Sequence, residues 1–334
     1  MRANAAIERH GAQTTVRQSF ARARRTLRLA APLKRMALAC LAATALHAAA
    51  AIAAPTDSPT LRKIADTGVI TFGYRTESPP FAYLDATRRP VGYSVDICER
   101  IVEATRKTLN MPELEVRRVV VSSATRMPML ADGSIDLECG VTTNTEERAK
   151  IVGFSVTTFV TASRLLSRKS AGIRTIDELR DQPVVSTLST TSIQYLTALN
   201  QARRLDMKIL AGLDDYKSLD MVRANRALAF AMDDVLLRSV LSTAPDADEY
   251  GISDVALTTE PYAIGLPHGD PVFKRLVDDT IVGLFRSGEI QQIYQRWFQS
   301  PIPPRGVNLK MPMSEQLQRV IRQPSDASEA QAYR

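Results

Sequence analysis

The stretch Gly133-Ser134-Ile135-Asp136-Leu137-Glu138-Cys139-Gly140-Val141-Thr142-Thr143-Asn144-Thr145-Glu146-Glu147-Arg148 decides how this chain is read. Its first residues form a turn feeding a short strand over 135–137. Thr142, Thr143 and Thr145 then supply hydroxyls beside free backbone N–H groups, and Arg148 lies one turn into a new helix. A helix N-terminus offers N–H donors and a partial positive charge. An arginine there adds a planar fork matched to two oxygens. The segment therefore suits a carboxylate. The competing interpretation is a capped helix, with Thr145 as N-cap, Glu146 in the first turn and Arg148 a solvated charge. Spacing alone favours the capped helix; the rest of the chain reverses that.

Residues 1–54 read as an export leader rather than as part of the fold. Positions 1–35 carry nine Lys/Arg and one acid, Glu8, and 36–54 run without a charge into an alanine-rich end. A basic start, an apolar run and the small-residue site Ala51-Ile52-Ala53 describe a secretory signal peptide cleaved near Ala53. The alternative, a membrane anchor, needs about 20 strongly apolar residues, and alanine drives insertion weakly. The expected location of the mature protein is the periplasm.

Removing the leader changes the charge argument. The chain has 43 Lys+Arg and 36 Asp+Glu; without the leader's nine and one, 34 and 35 remain. The basic balance belongs to the leader, so net charge gives no support for nucleic-acid binding. Two histidines, His10 and His47, leave with it, and His268, Cys98 and Cys139 stay. That leaves little for a zinc site or for Ser/His and Cys/His catalysis, and no metal or cofactor is expected. An exported protein with two cysteines can form one disulfide, but two separate buried thiols fit the sequence as well.

The mature chain alternates strands and helices. Patterning predicts a helix over 60–66 stopped at Gly68, a strand over 69–74, and turns at Pro79-Pro80 and 88–92. A helix capped by Ser94 runs to 109, followed by a strand over 114–121 and a short helix over 125–131. A second series has extended chain over 159–166, strands over 183–187, 208–211 and 227–232, and helices over 190–204 and 218–224. Strand-like 256–266 and helices over 271–286 and 289–298 close it. Such alternation argues for α/β sheets covered on both faces. The last ~20 residues, rich in Gln, Ser, Ala and Asp, are expected to be a poorly ordered tail.

With those elements placed, the chain resembles the family 3 extracytoplasmic solute-binding proteins of ABC transporters, and among them the glutamate/aspartate binders. The segments that carry the likeness are Gly68-Val-Ile-Thr-Phe-Gly-Tyr-Arg75, Pro80-Phe81, Val91-Gly92-Tyr93-Ser94-Val95-Asp96 and Ser123-Ala-Thr-Arg126. Asp136 to Asn144, Glu147-Arg148, Thr190-Thr191-Ser192, Met232-Asp233-Asp234 and Trp297-Phe298…Pro301-Ile302-Pro303-Pro304 follow in order, so the likeness spans 58–320. The resemblance implies a two-lobe periplasmic binding protein fold of type II, with lobe one at 55–158 plus 256–334 and lobe two at 159–255. Two crossover strands would join the lobes, and ligand would sit between them. The motif residues fall at the ends of predicted strands, where open α/β sheets bind ligands.

By the same resemblance, Arg148, Thr143 and the N–H groups of Thr190 and Thr191 clamp an α-carboxylate. Asp233 accepts the α-ammonium, helped by the Val141 carbonyl, and Arg75, Ser123 and Arg126 hold a side-chain carboxylate. Three cationic forks and one carboxylate suit a ligand with two carboxylates and one ammonium, each buried charge finding a partner. Tyr93, Phe81 and Trp297 are expected in the core, Phe81 being the one nearest to touching ligand. Two positions depart from the glutamate/aspartate pattern: Val141 replaces a serine, and Asp215 stands where a histidine donor is expected. Asp215 either lines the pocket or merely caps the helix beginning near Ser218.

The expected function is capture of an amino acid, glutamate or aspartate first and an amide second, by a monomer that hands it to a membrane ABC permease. A lyase-type enzyme on the same lobes is the alternative, since fold does not fix function.

Overall fold

The computed structural model describes residues 57–333, so the leader read over 1–54 lies outside the described residues. Two five-stranded sheets dominate. The first has the order Glu115–Val120, Val69–Tyr74, Leu137–Glu138, Gly265–Leu266, Gly153–Phe154. Its first three strands are parallel, and Gly265–Leu266 enters antiparallel to both neighbours. The second repeats the scheme with Lys208–Gly212, Pro183–Thr187, Ala229–Asp233, Ser163–Arg168 and Tyr250–Ile252, where Ser163–Arg168 is the antiparallel strand. Phe159–Thr161 and Glu260–Tyr262 form a separate antiparallel pair between them.

Burial explains the strand sequences. Parallel strands covered on both faces are continuously apolar, and Ala229–Asp233 is buried throughout. The edge strand Glu115–Val120 instead exposes Arg117 and Arg118, the charged dressing that blunts an open edge. Among the described residues no helix is long and apolar enough to cross a membrane.

Several boundaries match the patterning. Helix Pro59–Thr67 starts where Ser58 Oγ accepts from Leu61 N at 3.0 Å and stops at Gly68, whose φ is 68°. The helix read as capped by Ser94 begins at Tyr93 and is capped by no side chain. The N–H groups of Tyr93 and Ser94 are taken by the carbonyls of Pro80 and Phe81, at 2.8 and 3.0 Å. The Ser94 hydroxyl is thereby free to donate to Gly140 O at 2.7 Å. Gly92 permits this entry: its φ is 139°, and a Cβ there would lie 2.1 Å from Phe81 O.

Phe81 lies in the core. It is fully buried and packs edge-on against Tyr93, Phe159, Tyr262 and Phe298. Each such pair adds about 0.5–1.5 kcal/mol beyond area burial. Phe159 and Tyr262 belong to the crossover pair, so this aromatic core reaches the junction between the sheets. Trp297 is also buried, donating through Nε1 to Asp96 at 2.8 Å.

Cys98 and Cys139 are bridged, with Cα atoms 6.2 Å apart. The bridge fastens helix Tyr93–Leu109 to the chain leaving strand Leu137–Glu138. The expected disordered tail is a correction: it holds helix Glu315–Arg322 and a 3-10 turn Ala330–Tyr333. Leu317, Val320 and Tyr333 are buried, the Tyr333 hydroxyl lies 2.7 Å from Thr157 Oγ1, and Thr157 N donates to Ser325 O at 2.8 Å. Leu317, Val320 and Ile321 share one helical face, a three-residue signal that the polar composition masks.

Candidate functional site

Six parallel strands, three from each sheet, deliver the predicted residues to one place. On the first sheet Arg75 follows Val69–Tyr74, Ser123 and Arg126 follow Glu115–Val120, and Val141 and Thr143 follow Leu137–Glu138. On the second, Thr190 and Thr191 follow Pro183–Thr187, Asp215 follows Lys208–Gly212, and Asp233 ends Ala229–Asp233. These nine residues, with Met232 and Leu236, line one cleft between the sheets. Arg148, the tenth predicted residue, stands beside that lining.

The cations are held in place by neutral groups. Arg75 Nη1 donates to Ser123 Oγ at 2.8 Å, and Arg126 Nη1 to Val141 O at 3.2 Å. The Val141 carbonyl, expected to face an ammonium, is thus engaged by an arginine. Arg126 is 2% exposed and its Nε has no hydrogen-bond partner. Burial, and next the charge of Arg148, pull it below the usual guanidinium range, while Glu138 opposes them. Arg148 Nη1 donates to Thr143 O at 3.0 Å and Nη2 to Ser189 O at 3.5 Å, reaching from the first sheet's loops to the second's. Its own N–H donates to Thr145 Oγ1 at 3.2 Å, the cap read from the sequence.

The acids face them. Asp233 is 3% exposed, takes a hydrogen bond from the Tyr262 hydroxyl on Oδ2, and has Ser192 Oγ 3.5 Å from Oδ1. Burial, and next the charge of Glu260, push it well above the usual carboxylate range. Its neighbour Asp234 is the structural member of the pair, accepting from Thr161 Oγ1 at 2.6 Å and lying 3.7 Å from Arg164. The same division separates Asp214 from Asp215. Asp214 caps helix Asp215–Arg223 by accepting from Lys217 N at 2.7 Å. Asp215 lines the cleft, 5% exposed, and accepts from Thr187 Oγ1 at 2.6 Å.

Two buried acids were not legible in the sequence. Glu138 is fully buried, with Oε2 accepting from Thr142 Oγ1 at 2.6 Å and Oε1 unpartnered. Gly140 makes room for it, since a Cβ there would lie 2.2 Å from Oε1. Glu260, on the returning crossover strand, accepts from Thr191 Oγ1 at 2.8 Å and from Thr258. Glu138 sits inside the motif quoted first, which was a signal; Glu260 had none. Among the described residues, no group of three or more His, Cys, Asp or Glu is placed to hold a metal ion.

Known proteins share this architecture. An L-glutamate/L-aspartate-binding protein of Pseudomonas aeruginosa is 44% identical over 273 residues, 81% of this chain and 90% of that protein. A glutamate/aspartate import solute-binding protein of Escherichia coli is 40% identical over 290 residues, 87% and 96% of the two chains. Among solved structures, an ancestral arginine-binding protein bound to arginine is similar with a TM-score of 0.62 at 22% identity, covering 69% of this chain and 98% of that one. A solute receptor for L-cysteine from Neisseria gonorrhoeae gives 0.61 at 24% identity, covering 71% and 92%. At such identity these structures speak for the fold, that of two-lobed type II periplasmic amino-acid binding proteins. The model of the bacterial extracellular solute-binding proteins, family 3, matches residues 70–300, and the chain belongs to that family.

Proposed function

We propose that this chain is the solute-binding component of an ABC importer, capturing glutamate or aspartate in the periplasm for delivery to a membrane permease. The lobes would be 55–158 plus 256–334 and 159–255. One observation carries the reading: Arg75 and Arg126 from one sheet meet Asp233 from the other inside a single closed cleft. Among the described residues Asp233 forms no ion pair, which suits an α-ammonium, and the hydrogen bonds of Arg75 and Arg126 go to neutral oxygens, which leaves both charges for a side-chain carboxylate. Arg148 lies where an α-carboxylate could take its fork beside the Thr190 and Thr191 N–H groups. The binding functions named for the two relatives point the same way.

A thermal-shift screen of the twenty amino acids, followed by calorimetry, tests this, because a ligand of the folded state raises its stability. Glutamate and aspartate should give the largest shifts, without turnover. A screen in which only basic or apolar amino acids stabilise the protein overturns the reading, and catalytic consumption of the ligand would favour the lyase-type alternative.

A further inference from the structure

We infer that Asp215 makes capture of a second carboxylate proton-linked: an acidic amino acid is bound together with a proton that comes to rest on Asp215, whereas its amide is not. This deepens the acidic-ligand reading and rests on it. Asp215 lies in the lining with Arg75, Ser123 and Arg126, the groups assigned to the ligand's side-chain end. It is free for that role because Asp214 does the capping. Among the described residues its carboxylate takes one hydrogen bond, from Thr187 Oγ1. Arg75 and Arg126 face it, yet each spends its hydrogen bond on Ser123 or Val141, and among the described residues Asp215 forms no ion pair.

The remaining charged and titratable groups around it come from four directions. Asp214 and Tyr216 adjoin it, Glu77 lies two residues past Arg75, Asp233 ends strand Ala229–Asp233, and Tyr262 lies on the crossover strand. Burial already raises the Asp215 carboxyl; Thr187, Arg75 and Arg126 hold it down and Asp214 adds to the rise. A ligand carboxylate arriving at Arg75 and Arg126 cancels the field that favours the ionised form of Asp215 and adds a like charge. Asp215 then takes a proton from solvent, forming one O–H bond, and its hydroxyl can donate to the ligand carboxylate, which stays ionised. By linkage, the proton that binding recruits must also strengthen binding.

Asp233 provides the internal control. A ligand ammonium beside it favours its ionised form and releases protons, but equally for glutamate and glutamine. The difference between the two ligands therefore isolates the side-chain end. The test is titration calorimetry on the full mature protein in buffers of different ionisation enthalpy, from about pH 5.5 to 8, above the ordinary carboxylate range. Glutamate should take up more protons than glutamine, by up to about one per site, and its affinity should fall with rising pH by up to about tenfold per unit. Asp215→Asn should erase the difference while glutamate still binds; should that variant not fold, the two-ligand comparison on the wild type decides alone. Equal uptake and equal pH profiles for the two ligands overturn the inference. Failure of glutamate to bind at every pH overturns the acidic-ligand reading itself, and this inference with it.

Discussion

Tyr262, on the strand returning from the second sheet to the first, donates its hydroxyl to Oδ2 of Asp233, the last residue of the second sheet's central strand. Both groups are buried, and Glu260 lies close enough to add its charge. The crossover thus props up the very carboxylate assigned to an ammonium. A carboxyl raised in the folded state contributes stability that is present below its unfolded value, about 4, and lost as pH rises through the folded value. Asp233→Asn mimics the protonated acid and still accepts from Tyr262. It should therefore change the empty protein's melting temperature little near pH 4, and raise it increasingly toward pH 7. Melting curves of both proteins across that range check this; a constant offset contradicts it. The variant should also lose amino-acid affinity.

Arg148→Ala should weaken every amino-acid ligand, because it strips a buried α-carboxylate of its charged partner. Truncating one member of such a pair costs about 2–5 kcal/mol, or roughly 30- to several thousand-fold in affinity. Calorimetry with glutamate and glutamine should show both affected alike. An unchanged affinity removes Arg148 from the site.

Arg75→Ala and Arg126→Ala should discriminate instead. On the proposed reading each removes a fork facing the ligand's side-chain end, so glutamate and aspartate should lose about tenfold or more relative to their amides, the scale of a 1.4 kcal/mol difference. Competition titrations with glutamate against glutamine measure the ratio directly. A ratio that does not move shows these arginines to be structural.

The Cys98–Cys139 bridge closes a loop with a sequence separation of 41. Chain-entropy arguments give it about 4 kcal/mol of stabilisation. Replacing both cysteines by serine should lower the urea midpoint accordingly, and adding reductant should do the same to the wild type but not to the variant. Coincident wild-type curves with and without reductant would show that the bridge contributes nothing.

Much of this was legible in the sequence, and the gaps have physical causes. The turn residues, the Thr145 cap and the β-branched run 183–187 placed elements well because local chemistry determines them. Arg75 and Asp233 stand just past predicted strands and Arg126 in a short predicted helix, and it is the family resemblance that implied one cleft for all three. Asp215 stayed open between cleft wall and helix cap because that depends on where the helix begins, and it begins at Asp215 itself, with Asp214 as the cap. Glu260 and the Ser94 hydroxyl were missed for another reason: their partners lie on distant segments, Thr191 for one and Gly140 for the other. The tail failed because composition averaged away three apolar residues on one helix face.

Strand Gly153–Phe154 has its ladder partner in Gly265–Leu266, made only after the whole second sheet. The second sheet is one uninterrupted run of chain, from Ser163 to Ile252, and has every strand it needs as soon as that run is complete. The first sheet can therefore be completed only once residues 265–266 are made, whereas the second needs nothing beyond Ile252. A chain ended after Ile252 should accordingly show protected amide hydrogens in the second sheet and rapid exchange at Gly153 and Phe154.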